Sequence, residues 1–330
     1  MFFPIYTKKC NLSFYFSYLR QNKGRIEKKG DIKMCTAIAF GKENRLFGRN
    51  LDVEGGYDEG LIAIPGIYGK NAAIGIGVID KRGPLLFDGI NSSGLYVCAL
   101  NFTENGVLPR TRAEKSATYH DLLPYLVLTE CANVKEARAL IESRVFIASQ
   151  GGARLHFFIS DKRESIAVEP HRGGMRILDN PAEILTNEPP LPYHLTRLRE
   201  YGGLSPYPPT VMEGLRRPFS KGVGAIGLPG DTSSSSRFVR GYFLKEWATG
   251  EGDPLVLMRI LTSLSVIKGC VREKEGMQYT HYTSVAEADN FHYHYLMHDS
   301  SEVTTVDGGA VTSGIYLPTI IPLRRKTLKT

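Results

Sequence analysis

The stretch Met34–Asp52, MCTAIAFGKENRLFGRNLD, contains the strongest local indication of the fold of this chain. Its segment Cys35–Phe40 is rich in β-forming residues and predicts a short strand. The segment Gly41–Asn44 is typical of a turn, and Arg45–Asp52 predicts a second strand. The stretch is therefore expected to form a β-hairpin, in which the end of the second strand returns to the start of the first.

The predicted hairpin brings Arg49 and Asp52 beside Cys35, so that a cation and a carboxylate flank a thiol. Such neighbours stabilise and orient a thiolate. Because Cys35 follows Met34, a chain that begins at Cys35 has a free α-amine, whose ordinary pKa of about 7.7–8.0 suits a general base near neutral pH. Burial in a core is the more common fate of a free cysteine, and the hairpin alone leaves both interpretations open.

The composition is that of a globular protein: 330 residues, of which 42% are hydrophobic and 23% are charged. The formal charge of +7 is concentrated at the two ends, because residues 1–34 carry a net +6 and residues 324–330 a further +4. Residues 35–323 therefore carry −3, and the domain offers no electrostatic argument for a nucleic-acid partner. No apolar run approaches the ~18 residues of a membrane span, so no membrane partner is expected.

Residues 1–34 are basic and aromatic without a clear hydrophobic period. We expect an N-terminal extension here, either a propeptide, a mis-assigned start or a disordered tail, ahead of a single domain at residues 35–330. The five cysteines of the chain are odd in number, widely spaced and lack a Cys-x-x-Cys pair. They predict neither a disulfide framework nor a thiolate zinc site, and a reducing compartment such as the cytoplasm fits best.

Beyond the hairpin, predicted strands and helices follow one another in blocks. The further strands are expected at 61–65, 71–79, 84–90, 95–102, 154–160, 165–170, 175–179, 182–187, 279–285 and 291–298. The helices are expected at 119–131, 134–143, 193–201, 237–249 and 254–268. Blocks in this order predict a single layered α+β domain, with sheets packed together and helices outside.

Three weaker motifs point to other chemistry. Residues 222–227, GVGAIG, match the dinucleotide-binding fingerprint, but a Pro-Gly pair two residues later breaks the helix that must follow, so a turn is expected. His292, His294 and His298 share a strand face, but without a carboxylate or cysteine at ligand spacing an exposed sheet face is favoured over zinc. The serine run 233–236 is expected to cap the following helix rather than to supply a nucleophile.

Several stretches share one resemblance. They are Met34–Ala37 (MCTA), Gly48–Asp52 (GRNLD), Ala99–Phe102 (ALNF), Leu185–Pro189 (LTNEP) and Gly227–Arg240 (GLPGDTSSSSRFVR). Together they resemble the choloylglycine hydrolase family, which contains bile salt hydrolases and penicillin V acylases and belongs to the N-terminal-nucleophile hydrolases. The resemblance extends from Met34 to about residue 300. It implies a four-layer αββα sandwich and hydrolysis of a secondary amide.

Matched residue by residue, the resemblance implies that Cys35 is the nucleophile and that its freed α-amine is the general base. Arg49 and Asp52 are implied to lie against the thiol and the amine and to set their ionisation. The implied substrate is a small-molecule amide, and neither a metal nor another cofactor is implied.

The resemblance also supplies the residues that would face the reacting carbonyl. Asn187 falls on the oxyanion-hole asparagine, with the backbone N–H of Asn101 as its companion, and Arg237 falls on a second active-site arginine. A preorganised donor at an oxyanion contributes roughly 2.7–4 kcal/mol. Without the resemblance, Asn187 would be interpreted as a turn residue before Glu-Pro. Cys98 and Cys131 are expected to be buried thiols.

The sequence departs from the family pattern in three places. It has 33 residues ahead of Met34, whereas the family's bile salt hydrolases begin at or near the methionine before the cysteine. Segments 65–71 and 146–154 are shorter than their counterparts, which help to shape the substrate pocket. The tail after Asp307 has no recognised counterpart. These departures bear on the activity of the full-length chain and on its substrate.

The favoured substrates are conjugated bile salts, the glycine or taurine amides, because Asn101 resembles the bile salt branch of the family. An acylase of penicillin V or of another N-acyl amide is the alternative within the same class. From a different class, the chain could be a catalytically silent binding protein with Cys35 blocked behind residues 1–34, and a zinc hydrolase is the third option. The resemblance also implies a homo-oligomer, with a tetramer as the expected form.

Overall fold

A computed structural model describes residues 32–55, 58–67, 70–108, 117–148, 153–209, 221–273 and 276–326 of the chain. The predicted N-terminal extension, apart from its last three residues, lies outside these ranges, as do parts of the two shortened loop segments. Within the described residues, no helix is both long and apolar enough to cross a membrane.

The described residues form seventeen strands, numbered here in chain order. They are β1 (Ile32–Phe40), β2 (Leu46–Val53), β3 (Gly60–Ile64), β4 (Ala73–Asp80), β5 (Gly83–Asn91), β6 (Tyr96–Asn101), β7 (Thr118–Tyr119), β8 (Phe146–Ile147), β9 (Leu155–Ser160), β10 (Ser165–His171), β11 (Gly174–Asp179), β12 (Ile184–Leu185), β13 (Val271–Glu273), β14 (Gly276–Glu287), β15 (His292–Met297), β16 (Thr304–Asp307) and β17 (Thr319–Ile321). The α-helices of these residues are α1 (Leu123–Glu130), α2 (Val134–Glu142), α3 (Leu191–Leu198), α4 (Ser234–Trp247), α5 (Pro254–Ser263) and α6 (Gly308–Thr312).

Two antiparallel sheets contain almost all of these strands. Sheet A has the order β12-β1-β2-β14-β15-β16, with β13 also paired to β14, and sheet B has the order β11-β10-β9-β6-β5-β4-β3-β17. Strands β7 and β8 form a small parallel pair of their own. In sheet A the hairpin β1-β2 lies beside β14, so residues from the two ends of the domain meet at its centre.

The predicted hairpin is confirmed by the pairing of β1 with β2, which places Cys35 opposite Leu51. Gly48 has a steric role in this hairpin. A Cβ atom there would lie 2.5 Å from the backbone oxygen of Ser284 and 2.6 Å from the side chain of Leu261. The glycine therefore lets β14 and α5 approach β2 closely.

The two sheets face one another, and helices cover their outer faces. Between the sheets, Phe47 of β2 stacks on Tyr96 of β6, with 5.3 Å between the ring centroids. Helices α4 and α5 pack on sheet A, where Leu261 is fully buried, and α1 and α2 pack on sheet B, where Leu128 is fully buried. Burial of a side chain of this size contributes roughly 1.5–3 kcal/mol. The four layers confirm the predicted αββα sandwich.

Element boundaries differ from the prediction in a few places. The strand predicted at 182–187 is limited to the two residues of β12, and α4 begins at Ser234 because Ser233 serves as its N-cap. Helix α5 ends at Ser263, five residues before the predicted end at 268. Just after this end, the Ser265 hydroxyl donates to the backbone oxygen of Thr262, a local hydrogen bond that competes with continuation of the helix. In the tail, β16, α6 and β17 have three to five residues each, too few for a hydrophobic period to predict them.

Candidate active site

The thiol of Cys35 lies in the layer between the two sheets and contacts one arginine. Nη2 of Arg49 lies 2.9 Å from Sγ of Cys35. The same guanidinium donates from Nη1 to the backbone oxygen of Phe87 at 2.8 Å and from Nε to that of Asn50 at 3.4 Å. Both Cys35 and Arg49 are fully buried. Arg49 is thus held at both ends of its guanidinium and presents one N–H to the sulfur.

Burial controls the ionisation of this thiol. Burial raises the pKa of Cys35, and the nearby Asp52 carboxylate adds to the rise, while Arg49 and Arg237 lower it by less. In the chain that retains residues 1–34, Cys35 is therefore a protonated thiol near neutral pH. The stabilisation of a thiolate by Arg49 is present but smaller than the cost of burial, so a base must remove the proton.

Asp52 lies on the opposite face of β2 from Arg49, because residues three apart on a strand point to opposite faces. It pairs across the hairpin with Met34 rather than with Cys35. Its Oδ1 accepts a hydrogen bond from the Thr280 hydroxyl at 2.6 Å, while its buried Oδ2 has no hydrogen-bond partner among the described residues. Burial raises the pKa of Asp52 despite the neighbouring arginines. The structure thus brings Arg49 to the thiol, and it places Asp52 opposite Met34, the residue directly before Cys35.

Asn187 contacts the backbone of Cys35 from the loop after β12. Its Oδ1 accepts the N–H of Cys35 at 2.7 Å and an N–H of Arg237 at 2.8 Å. Its Nδ2 donates to the backbone oxygen of Asn101 at 3.0 Å. An amide Nδ2 carries two hydrogens, so a second N–H remains for a ligand. Asn187 therefore contacts Cys35, Asn101 and Arg237, the three other residues that the resemblance assigns to this part of the site.

Arg237 is fully buried at the start of α4. It donates to the backbone oxygen of Cys35, to Oγ1 of Thr36 at 2.6 Å and to the backbone oxygen of Thr232 at 2.9 Å. Burial lowers the pKa of Arg237, and the negative charge of Asp52 counteracts this. The arginine thus ties helix α4 to the first strand at the residue that carries the thiol.

The serine run before Arg237 caps α4, as predicted. Asp231 accepts the backbone N–H of Ser233 at 2.9 Å and the hydroxyl of Ser236 at 2.6 Å, and these hydrogen bonds lower its pKa to about 2. Ser233 in turn accepts the N–H of Ser236. The motif therefore fixes the first turn of α4 and with it the position of Arg237.

Comparison with known proteins identifies the family. Residues 35–308 match the family described as linear amide C–N hydrolases, choloylglycine hydrolase family. The chain belongs to this family. A bile salt hydrolase/transferase of Lactiplantibacillus plantarum is 33% identical over 298 residues, which cover 83% of this chain and 92% of that protein. A conjugated bile acid hydrolase of Lactobacillus acidophilus is 33% identical over 300 residues, which cover 82% of this chain and 95% of that protein.

Two solved structures share the fold of this choloylglycine hydrolase family member. The crystal structure of a variant of the conjugated bile acid hydrolase from Clostridium perfringens has a TM-score of 0.81 at 24% identity and covers 90% of this chain and 99% of that one. The penicillin V acylase from Agrobacterium tumefaciens has a TM-score of 0.68 at 20% identity and covers 83% and 86%. The fold is that of the N-terminal-nucleophile hydrolases, and the reaction class is hydrolysis of a linear amide C–N bond.

Two buried histidines of this family member support the site and are not singled out by the sequence. Nε2 of His194 lies 3.1 Å from the backbone oxygen of Asn187 and donates to it, and its ring stacks on Phe238 at 4.7 Å. His156 stacks on Phe102 at 4.3 Å and has no hydrogen-bond partner for either ring nitrogen among the described residues. Burial lowers the pKa of His194 to about 4 and that of His156 to about 3. Both rings are therefore neutral near pH 7.

The described part of this choloylglycine hydrolase chain contains no cluster of three or more His, Cys, Asp or Glu side chains that could hold a metal. His294 lies 2.7 Å from Glu287, and His292 lies 3.5 Å from the same carboxylate. His298 instead lies beside His281, with 5.3 Å between the ring centroids. The three histidines of the zinc hypothesis are thus divided between two places.

The glycine motif at 222–227 forms a turn with a short 3-10 helix at Val223–Ala225, which confirms the predicted turn. Cys98 and Cys131 are buried, also as predicted, and Cys270 is exposed.

Proposed function

We propose that this chain hydrolyses the amide bond between an acyl group and a small amine, with Cys35 as its nucleophile and N-terminal residue. The observation that carries the proposal is the separate placement of two atoms of Cys35. Its sulfur lies against Arg49, and its backbone nitrogen lies against Oδ1 of Asn187. A nucleophile and a base that belong to one residue need these two fixed sites.

The reaction begins when the free α-amine of Cys35 takes the thiol proton and Sγ attacks the amide carbonyl. The carbonyl oxygen becomes negative, and the free N–H of Asn187 and the backbone N–H of Asn101 donate to it. The protonated α-amine returns the proton to the leaving amine, which departs and leaves a thioester on Cys35. Water, deprotonated by the same α-amine, then attacks the thioester, releases the acid and restores the thiol.

In this proposal Asp52 and Arg237 hold the groups that react. Oδ1 of Asp52 accepts from Thr280, and Oδ2, which has no hydrogen-bond partner among the described residues, accepts an N–H of the α-amine. Arg237 binds both Oδ1 of Asn187 and the backbone oxygen of Cys35, so it fixes the oxyanion donor relative to the nucleophile.

We propose conjugated bile salts as the substrates, with a bile acid as the acyl group and glycine or taurine as the amine. Two relatives named for these substrates, each 33% identical over most of both chains, support this choice. The test is hydrolysis of glycocholate, taurocholate and penicillin V side by side, with release of glycine, taurine and 6-aminopenicillanic acid followed by mass spectrometry. Turnover of penicillin V alone would contradict bile salts as the substrates and support the acylase alternative. Turnover of none of the three compounds would favour a catalytically silent binding protein.

The mechanism also requires a defined start. A peptide nitrogen has no basic lone pair, so a chain that retains Met34 cannot use the Cys35 nitrogen as a base. We therefore propose that residues 1–34 are absent from the active enzyme and that residues 35–330 form the catalytic domain. N-terminal sequencing of the active fraction should read Cys-Thr-Ala-Ile, and a chain whose translation starts at Met34 should be at least as active as the full-length one. Active protein that retains residues 1–34 would rule out the amine as base.

Assembly into a homo-oligomer, with a tetramer as the expected form, remains a prediction from the resemblance, as does a cytoplasmic location. Light scattering on the purified enzyme checks the first, and fractionation of the source cells checks the second.

A further inference from the structure

Asp88 of β5 is a fully buried carboxylate between the two sheets, outside the set of residues assigned above. Four hydroxyl groups donate to it. Its Oδ2 accepts from Tyr293 at 2.7 Å, from Ser284 at 2.8 Å and from Tyr96 at 3.3 Å, and its Oδ1 accepts from Tyr282. Three of these donors belong to sheet A and one to sheet B. Four O–H donors that converge on both oxygens match a side chain that only accepts hydrogen bonds, as a carboxylate does.

Arg49 is the buried cation of the same layer, and the backbone connects the two groups. Nη1 of Arg49 donates to the backbone oxygen of Phe87, the residue directly before Asp88. The guanidinium also lies 5.8 Å from the ring centroid of Tyr282, whose hydroxyl binds Asp88. Among the described residues, no carboxylate makes a direct ion pair with Arg49.

A buried guanidinium without a counter-charge is costly, because several kcal/mol of desolvation must be offset. Burial opposes the charge of Arg49, but Cys98, Cys35, Tyr282 and Asp88 outweigh it and raise the pKa of Arg49. The titratable groups coupled to Arg49 and Asp88 in this layer come from six strands. They are Cys35 (β1), Arg49 (β2), Asp88 (β5), Tyr96 and Cys98 (β6), Tyr282 (β14) and Tyr293 (β15). Two further charged side chains act on the Cys35 thiol, since Asp52 raises its pKa and Arg237 lowers it.

Most of these groups are neutral. Burial raises the pKa of Tyr96, Tyr282 and Tyr293 well above the usual range, and it also raises the pKa of Cys98. With Cys35 as a thiol, the layer therefore holds one cation and one anion. Ionisation of Cys35 adds a second negative charge to a layer that is already balanced.

We propose that Asp88 is the buried counter-ion of Arg49, a positioning residue that acts on Cys35 through the guanidinium. The proposal rests on the proposed function of Cys35 and deepens it. Asp88 offsets the charge of Arg49, so that the cation stays in place beside a thiol that remains protonated until the base acts. Without Asp88, the cation would be balanced by ionisation of Cys35 instead.

The test is Asp88→Asn, which keeps the shape of the side chain and removes its charge. Thiolate absorbance at 240 nm is followed from pH 5 to 10, with the corresponding Cys35→Ala protein as the blank and absorbance at 295 nm as the check on tyrosine. All proteins carry the same N-terminus, verified by mass. We expect the midpoint of the Cys35 titration to fall by about one unit in Asp88→Asn, because removal of a negative charge from the same buried layer favours the thiolate. An unchanged or raised midpoint in folded protein would overturn the proposal.

Tyr293→Phe is the matched control, because it removes one hydroxyl donor and leaves the carboxylate. We expect a smaller shift than in Asp88→Asn, and an equal shift would mean that packing and not charge controls the thiol. The absorbance reports on the thiol whether or not the protein turns over. Loss of the proposed function would appear separately, as hydrolysis that survives in Cys35→Ala.

A double-mutant cycle covers the case in which Asp88→Asn is too unstable to titrate. Arg49→Gln, Asp88→Asn and the double variant are compared in urea unfolding. A counter-ion pair predicts that the double variant loses less stability than the sum of the two single losses, since each single change leaves one buried charge unpaired. A loss in the double variant that equals or exceeds this sum would show that the two groups do not compensate each other.

Discussion

The two sides of Cys35 differ in how complete they are. The thiol side, formed by Arg49 and the layer between the sheets, has every polar atom of the guanidinium bound to a protein acceptor or to the sulfur. The amine side, formed by Asp52, Asn187 and Arg237 around the backbone nitrogen, retains a buried Asp52 oxygen without a partner among the described residues.

The difference depends on whether the nitrogen of Cys35 is a peptide nitrogen or a free α-amine. As a peptide nitrogen it has one N–H, which Asn187 accepts at 2.7 Å. As a free α-amine it would have two hydrogens and a lone pair, or three hydrogens when protonated, and we propose that the additional N–H donates to this oxygen of Asp52. On this proposal, folding completes the thiol side and a new N-terminus at Cys35 completes the amine side.

The largest expected effect is that of Cys35→Ala, which removes the atom that both sides serve. The variant should fold, because alanine fits the strand, and it should lose all hydrolysis, because no thioester can form. The measurement is turnover of glycocholate by protein made without any wild-type enzyme. Exposed Cys270→Ala is the matched control and should keep full activity. More than about a thousandth of wild-type activity in Cys35→Ala would identify a different nucleophile.

Asn187→Ala tests the amine side directly. We expect kcat to fall by roughly 100- to 1000-fold, because one oxyanion donor is lost from a buried site. Asn290→Ala, at an exposed asparagine, is the control. Steady-state kinetics separate the two roles of Asn187. A change confined to KM would mean that the side chain binds substrate and does not stabilise the transition state.

Thr280→Val should have a smaller effect. The change removes the hydroxyl that donates to Asp52 at 2.6 Å and that accepts the backbone N–H of Val266 at 2.7 Å, while keeping the shape of the side chain. We expect kcat/KM to fall by roughly 10- to 100-fold, since a hydrogen bond to a charged group is worth roughly 1.5–3 kcal/mol. Thr283→Val, which removes a hydroxyl bound to Asn50 on the same strand, is the matched control. Equal losses in both variants would indicate a general effect of strand β14.

The sequence predicts a contact in this site well when the two residues lie close together in the chain, and poorly when they lie far apart. The hairpin and the contact of Arg49 with Cys35 follow from a local turn and two short strands. The position of Asp52 on the other face also follows from the period of a strand. Asn187 and Arg237 could be placed only through the resemblance, because their own segments are typical of a turn and of a capped helix.

Thr280 and Asp88 could not be predicted at all. Thr280 is 228 residues away from Asp52 in the chain, and a bulge between Thr280 and Tyr282 sets which side chain faces the site. The pairing of β14 with β2 depends on the whole sheet, and no local pattern encodes a register shift of one residue. Asp88 lies in a strand that otherwise looks like ordinary core, and only the four hydroxyls from other strands reveal its environment.

Acid is expected to destabilise the surroundings of the amine side more than those of the thiol side. Behind the amine side lie His194, which donates to Asn187, and His156, both neutral because burial lowers their pKa values to about 4 and about 3. The unfolded chain binds protons at these rings below about pH 6.5. Their contribution to the free energy of unfolding is therefore full above about pH 6.5 and decreases as the pH falls, by about 1.4 kcal/mol per unit for each ring. Buried carboxyls with raised pKa, such as Asp52, oppose this loss.

His156→Leu isolates the contribution of one ring, because the carboxyls are common to both proteins. Neither ring nitrogen of His156 has a hydrogen-bond partner among the residues that the structure describes, so the variant should retain most of its stability at pH 7 and its hydrolysis of glycocholate. Urea unfolding at pH 7.0, 5.5 and 4.5 should show that the variant loses about 1.4 kcal/mol less per pH unit than the wild type below pH 6.5. The His171→Leu exchange at an exposed histidine is the control. If wild type and His156→Leu lose stability in parallel, the acid-sensitive group lies elsewhere, and the amine side is no more labile to acid than the thiol side.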